Sequence, residues 1–223
     1  SGGWTPLLLH SRPSFYRKVR ELTHIDRYES LFGYDPIDKQ HKILCMSYNP
    51  REKVYSYHLL TFGCEKNPSW TSIECPTRHK PLSSGICING VLYYAGKKEG
   101  ASSLVIVCFD VRSEKFSFVD EPYPQSLSSK RVPACLRSFK DKLVSIRWRD
   151  LGSRSVKKFG LYLWVLKDCK KPDWSKHVYH LSLPFGVDIS VVGIIGTGEI
   201  VLSMKYTSNP FYVFYFSPET NTV

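Results

Sequence analysis

The stretch Arg147-Trp148-Arg149-Asp150-Leu151-Gly152-Ser153-Arg154-Ser155-Val156-Lys157-Lys158 gathers five basic side chains around a tryptophan. Guanidinium groups hold carboxylates and phosphates through paired N–H donors. Tryptophan and arginine are also the anchors that interfaces favour. Arg147, Trp148, Arg149, Arg154, Lys157 and Lys158 are therefore candidate contacts for an acidic or phosphorylated partner. Trp174, between Pro172-Asp173 and Ser175-Lys176, sits at a loop–strand edge and joins them. The competing reading of the basic stretch is a solvated hairpin loop with Trp148 exposed on it. The run Arg12 to Arg20 invites the same idea on thinner grounds.

No pattern for catalysis accompanies these residues. Asp35 and Asp110 look like paired carboxylates, yet each stands where a strand meets a turn. There an Asp side chain accepts N–H groups two or three residues on. Their recurrence favours this structural role. Gly193-Ile194-Ile195-Gly196-Thr197-Gly198 lacks the following helix that phosphate binding needs, so it reads as a hairpin turn. His177 and His180 fall on one expected strand and face opposite sides. Ser153 and Ser155 lack the G-x-S-x-G context of a nucleophile. The seven cysteines show no C-x-x-C spacing. No catalytic residue, cofactor-binding residue or metal ligand is assigned, and no enzyme activity or cofactor is expected.

The charge is +11, which attracts acidic proteins, nucleic acid or anionic membranes. A basic domain that binds nucleic acid or another polyanion is the alternative to a protein-binding role. It is disfavoured because no base-reading pattern is present. No apolar stretch reaches the roughly 20 residues that span a membrane. Several cysteines (Cys45, Cys87, Cys108) lie inside apolar runs, as reduced thiols in a cytoplasmic or nuclear protein would. Ser1-Gly2-Gly3 reads as a cloning scar, leaving residues 4–223 as one domain.

The elements that position these residues follow a repeated phrase. An aromatic and an Asp or Ser precede a polar turn and then a strand. The phrase occurs at Phe32-Gly33-Tyr34-Asp35, at Cys108-Phe109-Asp110 and at Tyr215-Phe216-Ser217. Strands are expected at 31–34, 41–47, 53–62, 70–75, 104–110, 115–119, 159–166, 177–183 and 211–216. Asn89-Gly90 between apolar runs is a strong hairpin signal, because both central residues of the tight turn need φ > 0. Lys140-Asp141-Lys142 and Gly196-Thr197-Gly198 supply two more turns. Repetition at about 50 residues implies stacked or radial β units. The predicted fold is all-β: a propeller-like array of about four four-stranded antiparallel blades. A β-sandwich fits the strand count but not the repeated order. Whether the array is one blade short or incompletely closed stays open.

Four phrases carry a resemblance to a known family. They are Ser30 to Cys45, Gly85 to Tyr94, Phe109 to Phe116, and Leu163-Trp164-Val165-Leu166 with Trp174-Ser175-Lys176. Thr5 to Leu9 is similar to the segment that opens the same domain. Together these resemble the plant F-box-associated domain, type 3. The resemblance implies a kelch-like β-propeller that recruits a target protein to a Skp–cullin–F-box ubiquitin ligase. A Skp-type adaptor and a cullin would bind through an F-box, which does not appear in this sequence. In this sequence residues 10–30 replace a further unit usual in the family. Asp35, Asn89, Gly90 and Asp110 are the expected turn residues of the scaffold.

Overall fold

The computed structural model describes residues 28–62, 70–101, 104–123, 135–152, 158–169, 172–183 and 188–223. Thr5 to Leu9, the basic run Arg12 to Arg20, Arg154 and Lys157 lie outside them. All elements among the described residues are strands, and they form four antiparallel sheets. The first sheet contains β1 (Tyr28–Asp35), β2 (Gln40–Asn49), β3 (Val54–Phe62) and β4 (Trp70–Ile73). The second contains β5 (His79–Pro81), β6 (Ile86–Ile88), β7 (Val91–Lys98), β8 (Leu104–Asp110) and β9 (Lys115–Asp120). The third contains β10 (Cys135–Phe139), β11 (Lys142–Asp150), β12 (Lys158–Asp168) and β13 (Asp173–Ser182). The fourth contains β14 (Ile189–Ile194), β15 (Ile200–Met204) and β16 (Val213–Phe216). Strand order follows the chain, except that β5 and β6 share one edge of β7.

The repeated phrase sets the turns. In Asp35 the Oδ1 atom accepts the N–H groups of Ile37 (2.9 Å) and Asp38 (3.3 Å). In Asp110 it accepts the Ser113 N–H at 2.7 Å. The Ser217 hydroxyl accepts the Thr220 N–H at 3.4 Å. Four residues after each, the backbone turns left-handed, at Lys39 (φ 53°), Glu114 (φ 58°) and Asn221 (φ 53°). That single left-handed residue returns the chain into the next strand. A fourth copy, at Asn49 with left-handed Lys53 (φ 55°), was not among the expected turns. Asn89 and Gly90 are both left-handed (φ 48° and 80°), as are Lys140 and Asp141 (φ 47° and 59°).

Alternation along each strand builds the cores between sheets. Leu44 and Met46 of β2 pair with Leu59 and Tyr57 of β3. Their side chains meet Leu92, Tyr94, Val107 and Phe109 of the second sheet. Ile106, Cys108 and Tyr93 turn the other way, onto Leu136, Leu143 and Leu166 of the third sheet. Ile146, Leu161 and Leu163 of the third sheet meet Val191, Ile200, Leu202 and Phe216 of the fourth. Each sheet thus has apolar residues on both faces and packs on its chain neighbour. The four sheets are the blades of a four-bladed β-propeller.

A polar group is buried within the first of these contacts. His79 is fully buried, with Nε2 2.7 Å from the Tyr94 hydroxyl and Nδ1 2.9 Å from the Thr77 carbonyl. The carbonyl can only accept, so Nδ1 carries the proton and Nε2 accepts from Tyr94. The Tyr57 hydroxyl bonds the His79 main chain and ties the first sheet to the second. Burial holds the imidazole pKa below its ordinary value, against a smaller opposing effect from the Thr77 carbonyl.

Strand boundaries differ from expectation at several places, among them the following. The return strand of the third sheet starts at Asp173 rather than His177. Leu166 and Asp168 pair with Trp174 and Asp173 across an irregularity, and this draws the former loop into the ladder. The strand expected at 211–216 starts at Val213. The strand that leaves the Lys140-Asp141-Lys142 turn runs on to Asp150, into the stretch read as a basic loop.

Candidate partner-binding surface

The turns at Asp35, Asn89-Gly90, Asp110, Lys140-Asp141 and Gly196-Thr197-Gly198 lie at one end of their sheets, and the Asn49–Lys53 turn lies at the other. Pro36 lies against Gly90, where an added methyl would sit 3.1 Å from Pro36 Cδ. The Asn89 side chain reaches the Asp141 carbonyl at 3.5 Å, and the Phe139 ring packs on Gly198. Four carboxylates at the Asp35 end are committed to the scaffold. Asp35 and Asp110 tie turns, Glu114 holds Lys42 at 2.6 Å, and Asp38 faces Arg112 at 3.4 Å. Antiparallel alternation sends the β2–β3, β7–β8, β11–β12 and β15–β16 connections, uneven in length, to the opposite end. Binding residues usually sit on such connections, held by a rigid scaffold.

That opposite rim carries exposed cations: Arg51, Lys53, Arg78, Arg149, Lys158 and Lys205. None forms an ion pair among the described residues. Lys205 lies 5.4 Å from the ring centre of Tyr206. Tyr206 is 64% exposed, and Phe211 and Tyr212 are 49% exposed, all in the connection from β15 to β16. Tyr212 stacks on Phe214, and Met204 Sδ accepts from the Tyr212 N–H at 3.3 Å. Aromatic side chains held this way lose little freedom when they bind. The sequence reading missed this group. Its signal was the unbroken run Phe211-Tyr212-Val213-Phe214-Tyr215-Phe216, too apolar for a strand with one wet face.

The candidates chosen from sequence separate into three groups. Arg147 is a correction: it lies inside β11 and is buried. Its Nε donates to Glu121 Oε1 at 2.7 Å, and its Nη2 forms an ion pair with the same atom. The guanidinium also covers the Tyr123 ring at 5.1 Å. Burial raises the Glu121 carboxyl above its ordinary pKa, and Arg147 pulls it partly back. Trp148 is half-buried against the core of the third and fourth sheets, not exposed on a loop. Trp174 is half-buried on the core of the second and third, and its indole N–H has no partner among the described residues. Arg149 and Lys158 are exposed at the ends of β11 and β12. Arg154 and Lys157 lie outside the described residues.

Among the described residues no group of three or more His, Cys, Asp or Glu is placed to hold a metal ion. No helix among them is long and apolar enough to cross a membrane. The described cysteines carry free thiols. Burial raises the pKa of Cys45, Cys75, Cys87 and Cys135, and that of Cys108 to about 12. Such thiols stay protonated and make poor nucleophiles.

The comparisons with known proteins agree with a propeller of such blades. Residues 15–223 match the family described as F-box associated beta propeller domain, and the chain belongs to that family. It is similar to F-box protein At3g57590 of Arabidopsis thaliana, 38% identical over 224 residues, covering 98% of this chain and 55% of the relative. It is similar to F-box protein DOR of the same plant, 46% identical over 201 residues, covering 87% and 49%. F-box protein At1g47340, also from Arabidopsis thaliana, is 43% identical over 214 residues, covering 92% and 43%. The chain thus spans about half the length of these curated relatives. No solved structure matches it.

Proposed function

We propose that this propeller is the target-recognition domain of an F-box protein and has no enzyme activity of its own. A target protein docks on the rim of uneven connections. Tyr206, Phe211 and Tyr212 supply apolar anchors there, with Arg149 and Lys158 as flanking cations. A Skp-type adaptor and a cullin bind through an F-box elsewhere in the protein, and ubiquitin transfer takes place on other subunits. The setting is cytoplasmic or nuclear, in keeping with free, protonated thiols. The observation that carries this reading is family membership across nearly the whole chain, with relatives that are F-box proteins. The charge-depleted, aromatic character of the β15–β16 connection supports a protein partner. The test is co-purification of the full-length protein from plant cells. A Skp-type adaptor and a cullin are expected in stoichiometric amounts, and their absence would overturn the proposal.

A further inference from the structure

The connection from β4 to β5 crosses from the first sheet to the second along the rim of uneven connections. It leaves β4 at Ile73, opposite Tyr57, and enters β5 at His79, opposite Lys98. Glu74, Pro76 and Arg78 on it are exposed. Arg78 forms no ion pair with Glu74, Glu99 or any other described residue. Beneath them, side chains hold the main chain. The Thr77 carbonyl accepts from His79 Nδ1 at 2.9 Å and from Cys75 Sγ at 3.1 Å. The Arg78 carbonyl accepts the Glu99 N–H at 2.9 Å, which turns the His79 N–H and C=O away from β7. On an open edge those two groups would face water. Here the Tyr57 hydroxyl takes both, accepting the N–H at 3.2 Å and donating to the carbonyl at 3.3 Å.

Burial alone does not call for this arrangement. His79 lies among the rings of Tyr57, Tyr94, Phe116 and Phe118, with centres 5.3, 5.6, 6.2 and 5.4 Å away. The surrounding core is built largely of Leu, Val and Phe. An imidazole buried there needs each polar atom paired, whereas a leucine packs without that demand. What the polar set adds is a fixed main chain from Thr77 to His79, and with it a fixed origin for the Arg78 side chain.

We propose that His79 is a positioning residue for target recognition. Through the main chain of Thr77 and Arg78 it sets the Arg78 guanidinium at the rim, where paired N–H donors take a carboxylate of the target. This role rests on the reading that the same rim holds the target. It extends the contact from the aromatic side chains of the fourth sheet to the junction of the first and second.

The test uses full-length protein purified from plant cells, with bound proteins quantified against the Skp-type adaptor. Arg78→Gln is expected to lower a defined set of them by at least about fivefold. His79→Leu keeps the bulk and removes the ties. Tyr57→Phe deletes only the hydroxyl on the His79 main chain and serves if the first variant does not fold. In each, amide exchange at Thr77 to His79 is expected to speed by about tenfold, and the same set to fall. Adding Arg78→Gln to either is expected to bring the loss to that of Arg78→Gln alone and no further. A double variant whose loss is the product of the two separate losses would overturn the positioning role. So would an unchanged set in Arg78→Gln or in His79→Leu. If no bound protein depends on Tyr206 and Phe211, the docking reading falls first and takes this role with it.

Discussion

Replacing Arg147 with methionine separates a scaffold role from a binding role. The substitution leaves the Glu121 carboxylate buried without its cation. At about 4 Å between charge centres and an effective dielectric near 20, the lost attraction is about 4 kcal/mol. Breaking a buried pair from one side typically costs about 3–5 kcal/mol. For a domain of this size each kcal/mol moves Tm by about 2–4 °C, so a drop of roughly 6–20 °C is expected. The loss depends on pH. Glu121 has a raised folded-state pKa, so its contribution is present below the ordinary value of 4.5 and lost as pH rises through the folded value. Without Arg147 the folded value rises further. The penalty is therefore largest near neutral pH and shrinks on acidification toward 4.5. Replacing both residues with methionine should recover most of the loss, because a well-packed apolar pair does not need the charges. Urea melts at several pH values, with Arg149→Met as the exposed comparator, give the answer. Arg149→Met should stay within about 0.5 kcal/mol of the parent. An Arg147→Met variant equally close to the parent would refute the scaffold role.

Other expectations follow from the same contacts. His79 has a depressed folded-state pKa, so stability should decline as pH falls below 6.5, and His79→Gln should flatten that slope in denaturation at pH 5–7. Gly33→Ala would bring a methyl to 2.7 Å from Val111 Cγ2 and should cost about 1–3 kcal/mol in thermal melts, relieved by Val111→Ala. Gly90→Ala places a side chain at φ 80° and against Pro36, and should cost about 1–2 kcal/mol. Tyr206→Ser with Phe211→Ser should leave Tm within about 2 °C, because Tyr206 is 64% and Phe211 49% exposed.

What the sequence disclosed depended on how local the physics is. The turn at Asp35 is legible because its acceptor, its N–H donors and its left-handed residue lie within five positions. Asn89-Gly90 is legible for the same reason. Asn49 carries the same chemistry before Pro50 but lacks the aromatic–Asp wording, so its spacing to Lys53 was the signal to use. Arg147 was misplaced because its burial depends on Glu121, which follows β9 of the second sheet. Trp174 was ambiguous because the core that covers it comes from the second sheet. The aromatic connection after β15 needed a different question: which apolar run is too rich for the faces it can bury.

The central claim is that the rim of uneven connections holds the target. It is tested most directly by comparing full-length protein with the variant Tyr206→Ser, Phe211→Ser, Arg149→Glu after purification from plant cells. Quantitative mass spectrometry is read against the amount of Skp-type adaptor recovered. The account predicts equal adaptor in both samples and a loss of at least about tenfold in a defined set of bound proteins from the variant. An unchanged set of bound proteins, with adaptor equal, would contradict it.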